Sequence, residues 1–259
     1  MDGWIGAPES ESRIIRAAPS LFLEFQSLTH SSMARSVQSE RMTIKNIVVL
    51  ISGRGTNLGA MLKAAADEGW SERPGARVAA VISNRADAAG LDVARAAGVP
   101  WHVVSHAEYG SREEFEVALA RSIDVHAPAL VVLAGFMRVL TPGFVRRYQG
   151  RLVNIHPSLL PLFPGLRTHR QALAAGVRIH GATVHFVSNE VDGGAIIAQA
   201  AVPVQPGDDE ATLSERVLME EHKLLPRAVR LVLEGRVRLD RDRVVLDGVG
   251  PNQLSLLAS

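Results

Sequence analysis

The chain has 259 residues, 47% hydrophobic and 21% charged, with a formal net charge of +1. That length holds one large domain or two small ones, and the near-neutral charge carries no electrostatic footprint for nucleic acid or an anionic membrane. Cysteine is absent, which excludes disulfides, thiol nucleophiles and Cys-ligated metals and fits a reducing, cytoplasmic location.

Residues 1–42 are Ser-rich, with Arg13, Arg16, Arg35 and Arg41 scattered among Asp2, Glu9, Glu11, Glu24 and Glu40. Transit peptides are poor in acidic residues, and a secretory signal needs a longer apolar run than Ser20 to Phe25, which Glu24 interrupts. The segment reads as a disordered extension or a translated upstream stretch, with Met33 and Met42 as later starts. One domain is expected over 43–247, followed by a loose tail over 248–259.

Organised sequence begins with Ile47 to Ile51, a continuous apolar run suited to a strand buried on both faces. A turn follows at Ser52 to Asn57, then a helix from Leu58 to Asp67. Arg77 to Ser83 reads as a strand, Ala88 to Ala97 as a helix and Trp101 to Val104 as a short strand. Ser111 to Glu114 has capping-box spacing and opens a helix running to about His126. Ala129 to Ala134 is a wholly apolar strand. Thr141-Pro142 starts another helix, with Pro at its first position. Leu152 to Ile155 is the next strand. The longest apolar runs, such as Ala127 to Met137, fall far short of a bilayer span.

This alternation implies an α/β fold, an open and mostly parallel twisted sheet with helices on both faces. The pattern then changes. Ala182 to Val187 and Ala195 to Pro203, joined through Asp192-Gly193-Gly194, read as an antiparallel pair. Thr212 to Leu233 is a long amphipathic helix with an expected kink at Pro226. Arg236 to Leu239 and Val244 to Leu246 form a small hairpin.

Two segments carry chemistry. Asn154 and His156 are two apart and so share one face of their strand, which Pro157 should end. An amide donor beside an imidazole suits a carbonyl that becomes an oxyanion, and Asp192 on its Gly-rich turn completes a plausible acyl-transfer set. Each residue alone has a bland reading, a satisfied strand-end His or an ordinary turn Asp. The second segment, Gly53-Arg54-Gly55-Thr56-Asn57, lies between a buried strand and a helix, where amides and the helix dipole bind anions. It lacks the Gly-Lys-Ser/Thr ending of a P-loop, and Gly59 falls one residue late for a dinucleotide fingerprint. A single phosphate on a small substrate fits it, as does a tight turn without ligand. His156, His169, His180, His185 and His222 lack metal-ligand spacing on one helix, so no metal is expected. His185, inside an apolar strand, reads as structural, and Ser158 as part of a structural loop.

Asn46 to Leu58, Ala134 to Leu140, Asn154 to Pro161 and Glu190 to Gly194 resemble the phosphoribosylglycinamide formyltransferases, folate-dependent enzymes of purine synthesis. The resemblance runs from about Asn46 to about Asp247. It implies transfer of a formyl group from the co-substrate 10-formyltetrahydrofolate to the glycinamide amine, on small-molecule substrates, by a monomer or homodimer. It further implies that Gly55, Thr56, Asn57 and Glu221 hold the ribonucleotide. Arg112, Met137, Arg138, Val139 and Leu140, with Asn154, belong to the folate site, and Ser188 to Asp192 to the loop around the pterin. Asn154, His156 and Asp192 match the catalytic trio. Formyltetrahydrofolate hydrolase is the nearest alternative, but it carries an N-terminal regulatory domain for which 42 residues are too few. A non-catalytic folate- or nucleotide-binding protein is the alternative from another class.

Overall fold

A computed structural model of the chain describes residues 44–257. The expected extension over 1–42 lies outside the described residues. The elements in chain order are β1 (Lys45–Ile51), α1 (Thr56–Asp67), β2 (Ala76–Ser83), α2 (Gly90–Ala96), β3 (Trp101–Val103), α3 (Arg112–Asp124), β4 (Pro128–Leu133), α4 (Pro142–Arg147), β5 (Leu152–His156), α5 (Thr168–Ala174), β6 (Ile179–Phe186), β7 (Ile196–Pro203), α6 (Glu210–Leu233), β8 (Val237–Asp240), β9 (Arg243–Leu246) and β10 (Ser255–Leu257).

Eight strands form one sheet in the order β10-β7-β6-β5-β4-β1-β2-β3, and β8 and β9 pair apart as the expected hairpin. β6 alone runs against its neighbours, antiparallel to both β5 and β7, so β7 and β10 point the same way as the rest. Every residue of Ile47 to Ile51 is buried, as a central strand with helices on both faces requires. Alternate side chains serve the two layers. Ile47, Val49, Ile51, Val132 and Val153 join the core beneath α1 and α6, whereas Val48, Leu50, Val131, Leu133 and Leu152 pack with Phe115, Leu119 and Phe144 of α3 and α4.

Three helix starts, those of α3, α4 and α6, follow side-chain caps. Ser111 accepts the Glu114 amide at 3.1 Å at the head of α3, although the Glu114 carboxylate reaches back to Gly110 rather than to Ser111. Thr141 caps α4, with Pro142 in its first turn. Buried Glu116 accepts from the Thr141 amide at 2.8 Å, which pins the loop ahead of α4 to α3. Asp209 caps α6, which begins at Glu210, two residues ahead of the expected start, and runs on through Pro226 to Leu233.

The tail departs from expectation. Rather than hanging loose from Gly248, it lays β10 against β7, and the Gln199 backbone N–H donates to the Leu254 carbonyl at 2.9 Å. The physical reason is an unpaired edge: β7 would otherwise expose its backbone groups, and Leu254 and Leu256 pack onto the main core. The short α5 has no counterpart in the expected elements, because seven residues are too few to show a helical period. Among the described residues no helix is long and apolar enough to cross a membrane.

Candidate active site

Strand order reverses between β1 and β4, and open α/β sheets bind ligands at the carboxyl ends beside such a reversal. The loops leaving these two strands are bonded together. The Ser52 amide donates to the Gly135 carbonyl at 3.1 Å. The Ser52 hydroxyl donates to Asn84 Oδ1 at 2.6 Å and accepts from the Met137 amide at 2.8 Å. Two adjoining cavities open around this junction.

The first, about 400 Å3, is bounded by Ser52 to Asn57, by the β4 end and by Ser214, Leu218 and Glu221 of α6. Gly55 is the N-cap of α1 in the left-handed region, at φ 74°, and no side chain caps the helix, so the amides of its first turn face the cavity unanswered. Gly55 also lies against Gly90, so close that a Cβ on Gly55 would sit 2.4 Å from the Gly90 Cα. Sequence reading missed Gly90, because its role is a contact between loops far apart in the chain. Asn57 points inward instead and donates to Glu221 Oε2 at 2.7 Å.

Burial raises the Glu221 carboxyl to about 7, with Asn57 and Arg54 opposing the shift. A carboxyl whose folded value lies above its ordinary one favours the folded state at low pH and loses that contribution as pH rises towards 7. The Glu221→Gln protein is therefore expected to melt higher than wild type at pH 8 and to lose most of that advantage at pH 4.5. Thermal melts of both ligand-free proteins at the two pH values check this, and a pH-independent difference would refute it.

The second cavity, about 500 Å3, holds the predicted trio. Along β5, Leu152, Asn154 and His156 share a face, but only Leu152 lies under helix; beyond it the same face turns polar and opens to the cavity. Asp192 lies on the β6–β7 turn at φ 53°, a conformation that Asp tolerates better than most residues. Its Oδ2 accepts the Gly165 amide at 2.8 Å and stands 3.4 Å from His156 Nδ1. His156 Nε2 lies 3.0 Å from the Phe163 carbonyl and must carry a proton to bond there, which leaves Nδ1 as the nitrogen on the Asp192 side.

His185 corrects the sequence reading. It is no mere core residue: it pairs in register with Asn154, lines the cavity and stands 3.8 Å from Asp192 Oδ1. Burial pushes its imidazole below the usual range, towards the neutral form. With Nδ1 donating to the Phe186 carbonyl at 3.0 Å, Nε2 is left to accept from Asn154 Nδ2 at 3.1 Å. His185 thereby fixes which way the Asn154 amide faces and leaves its second N–H free. The available signal was its place at the carboxyl end of the run, one residue before the last residue of β6.

Part of the remaining wall is apolar. Met137 (67% exposed), Val139 (53%), Leu166 (75%) and Val191 (55%) are large hydrophobic side chains left in solvent around one cleft, as a flat apolar ligand requires. Arg138 and Leu140 line it as well. Arg112 stands exposed on the first turn of α3 and is not among the lining residues.

A polar pocket beside a helix N-terminus, an apolar cleft next to it, and an Asn-His-Asp centre on the strand end beside both define an enzyme that moves a small group between two bound molecules. Comparison with known proteins agrees. The family described as formyl transferase matches residues 45–229. The phosphoribosylglycinamide formyltransferase of Escherichia coli K12 is 49% identical over 203 residues, covering 78% of this chain and 94% of the relative. A solved glycinamide ribonucleotide transformylase from Symbiobacterium toebii superposes with a TM-score of 0.74 at 50% identity, over 79% of this chain and 95% of that one. The phosphoribosylglycinamide formyltransferase of Coxiella burnetii gives 0.75 at 44% identity, over 83% and 100%. A formyltetrahydrofolate deformylase from Pseudomonas syringae lies farther off, at 29% identity and a TM-score of 0.70, with 66% of its chain covered. The chain belongs to the formyl transferase family.

Proposed function

We propose that this protein transfers the formyl group of 10-formyltetrahydrofolate to the amine of 5-phosphoribosylglycinamide in purine synthesis, and that residues 43–247 carry the activity. The observation that carries this reading is the polar cavity over Gly55 to Asn57, set directly against the apolar cavity that holds Asn154, His156 and Asp192. A hydrolase needs only the second cavity, since water is its acceptor.

The amides of Gly55, Thr56 and Asn57 hold the ribose phosphate, and Glu221 lies deeper in the same pocket. Met137 to Leu140 flank the pterin, while Arg138 at the wall and Arg112 beyond it are cations for the carboxylates of the folate's glutamate. The uncharged amine attacks the formyl carbon directly, so no covalent enzyme intermediate forms. Asn154 donates its free N–H to the oxygen as negative charge develops there. Protonated His156, oriented by Asp192, adds a second donor and delivers a proton to the departing folate nitrogen.

A spectroscopic assay with purified protein, a 10-formylfolate donor and glycinamide ribonucleotide tests the proposal. Folate release is expected only when the ribonucleotide is present. Equal release without it would convert the reading to a hydrolase, and ligand binding without any release would leave a binding protein.

A further inference from the structure

The two cavities meet along a shared wall formed by Gly135, Met137, Ile155, Pro157 and His169. Bond formation between an amine held in one cavity and a formyl carbon held in the other has to occur along that wall. His169 is its only side chain able to take a proton. It is the second residue of α5, placed there by the turn at Arg167, whose backbone is in the left-handed region at φ 58°.

His169 has no structural employment that would explain it. Its Nδ1 is buried without a hydrogen-bond partner, and its ring meets His180 edge-on at 5.3 Å between centroids. The charged and titratable groups around it are Glu210 at the head of α6, His156 on β5 and His180 on β6. Burial pushes His169 below the ordinary imidazole range, and His156 adds to this while Glu210 opposes it. His180 is pushed further, to about 4, so it is neutral and places no charge beside His169 at neutral pH. His169 is thus a neutral imidazole; its buried Nδ1 is out of reach of a ligand, so the nitrogen that can accept a proton from the cavities is Nε2.

We propose that His169 is the base that accepts the proton released by the attacking amine. Resting on the formyl-transfer reading, this gives a balanced step. The amine nitrogen bonds to the formyl carbon, the carbonyl pair moves to oxygen, and the nitrogen becomes positive. His169 takes one of its protons and becomes imidazolium. The oxygen pair then re-forms the carbonyl as the bond from carbon to the folate nitrogen breaks, the bonding pair leaves with that nitrogen, and His156 supplies its proton. One proton has left the amine and one has reached the folate, and the two imidazoles restore their states by exchange with water. Acceptance and delivery are thereby divided between two residues, in place of one group doing both.

His169→Gln and His169→Ala test the assignment against wild type whose transfer activity is measured first; no ribonucleotide-dependent transfer in wild type would sink the underlying reading rather than this one. The expected result is a kcat lower by about 100-fold or more, within the range for removing a general base, with KM for both substrates nearly unchanged. Added imidazole should restore part of the His169→Ala rate, and more strongly as pH rises and the neutral imidazole increases. A kcat within a few-fold of wild type would overturn the proposal. So would a raised KM with kcat retained, or a slow His169→Ala enzyme that imidazole does not rescue, since a merely structural His169 gives those patterns. Thermal melts of both variants separate these results from unfolding.

Discussion

His156→Ala is expected to retain substrate affinity and lose turnover, with kcat falling by about 10²- to 10⁴-fold, the usual worth of a positioned acid or base. Two bonds of this side chain support the expectation. Nε2 is committed to the Phe163 carbonyl, so the reactive proton is the one on Nδ1, 3.4 Å from Asp192. Removing the ring takes away that proton and one donor to the oxyanion, while Asn154 remains braced by His185. The Phe163 carbonyl loses its partner, which costs about 1–3 kcal/mol of stability and should appear as a lower Tm without unfolding. Asp192→Asn is the sharper companion, because Asn accepts the same left-handed backbone and can still bond the Gly165 amide. It turns an N–H towards His156 Nδ1 and removes the acceptor for the imidazolium. Steady-state kinetics with both substrates decide the matter: a His156→Ala enzyme with near-native kcat would end the proposed mechanism.

Gly55→Ala should weaken ribonucleotide binding strongly while sparing the folate cleft. The substitution meets two penalties together. A side chain at φ 74° costs about 1–3 kcal/mol, and overpacking a closed contact costs a similar 1–3 kcal/mol. The clash is with the Gly90 Cα, a backbone atom that cannot swing aside. Relief comes only by moving the loop away from α2, which takes the first-turn amides of α1 out of position. A rise of about 100-fold in KM for the ribonucleotide is therefore expected, equivalent to roughly 2.7 kcal/mol. Folate affinity, measured by equilibrium binding, should hold within a few-fold. Gly90→Ala offers a second approach to the same contact, since its Cβ would meet Ile51 Cδ1 at 2.7 Å and the Gly55 Cα at 2.9 Å. Native KM in Gly55→Ala would show that the loop does not hold the phosphate.

Much of this arrangement could be read from residue order. The unbroken apolar run of β1 marks a strand covered on both sides, and the two-residue spacing of Asn154 and His156 marks a shared face. The trio is legible because each member carries a local reason for its place: Pro157 ends the strand, and glycines follow Asp192. What escaped depends on pairing between distant segments. His185 gains its meaning from standing across the sheet from Asn154, and Gly90 from touching Gly55. His169 sits on a helix too short to announce itself by periodicity, after a loop rich in Pro and Gly. The tail strand was hidden for a similar reason, because three residues become a strand only once a free edge is present to receive them.

The alternation along β5 and β6 has one more result. Val153, Ile155, Ala182, Val184 and Phe186 face the core, and Asn154, His156, Thr183 and His185 face the other way. A slip of one residue in this pairing would exchange the sets, sending imidazoles into hydrocarbon and aliphatic groups into the cleft. A misthreaded molecule would therefore be inert as well as unstable. Specific activity in a preparation would then count the molecules whose strands have found their proper partners, so that the chemistry itself reports on folding fidelity.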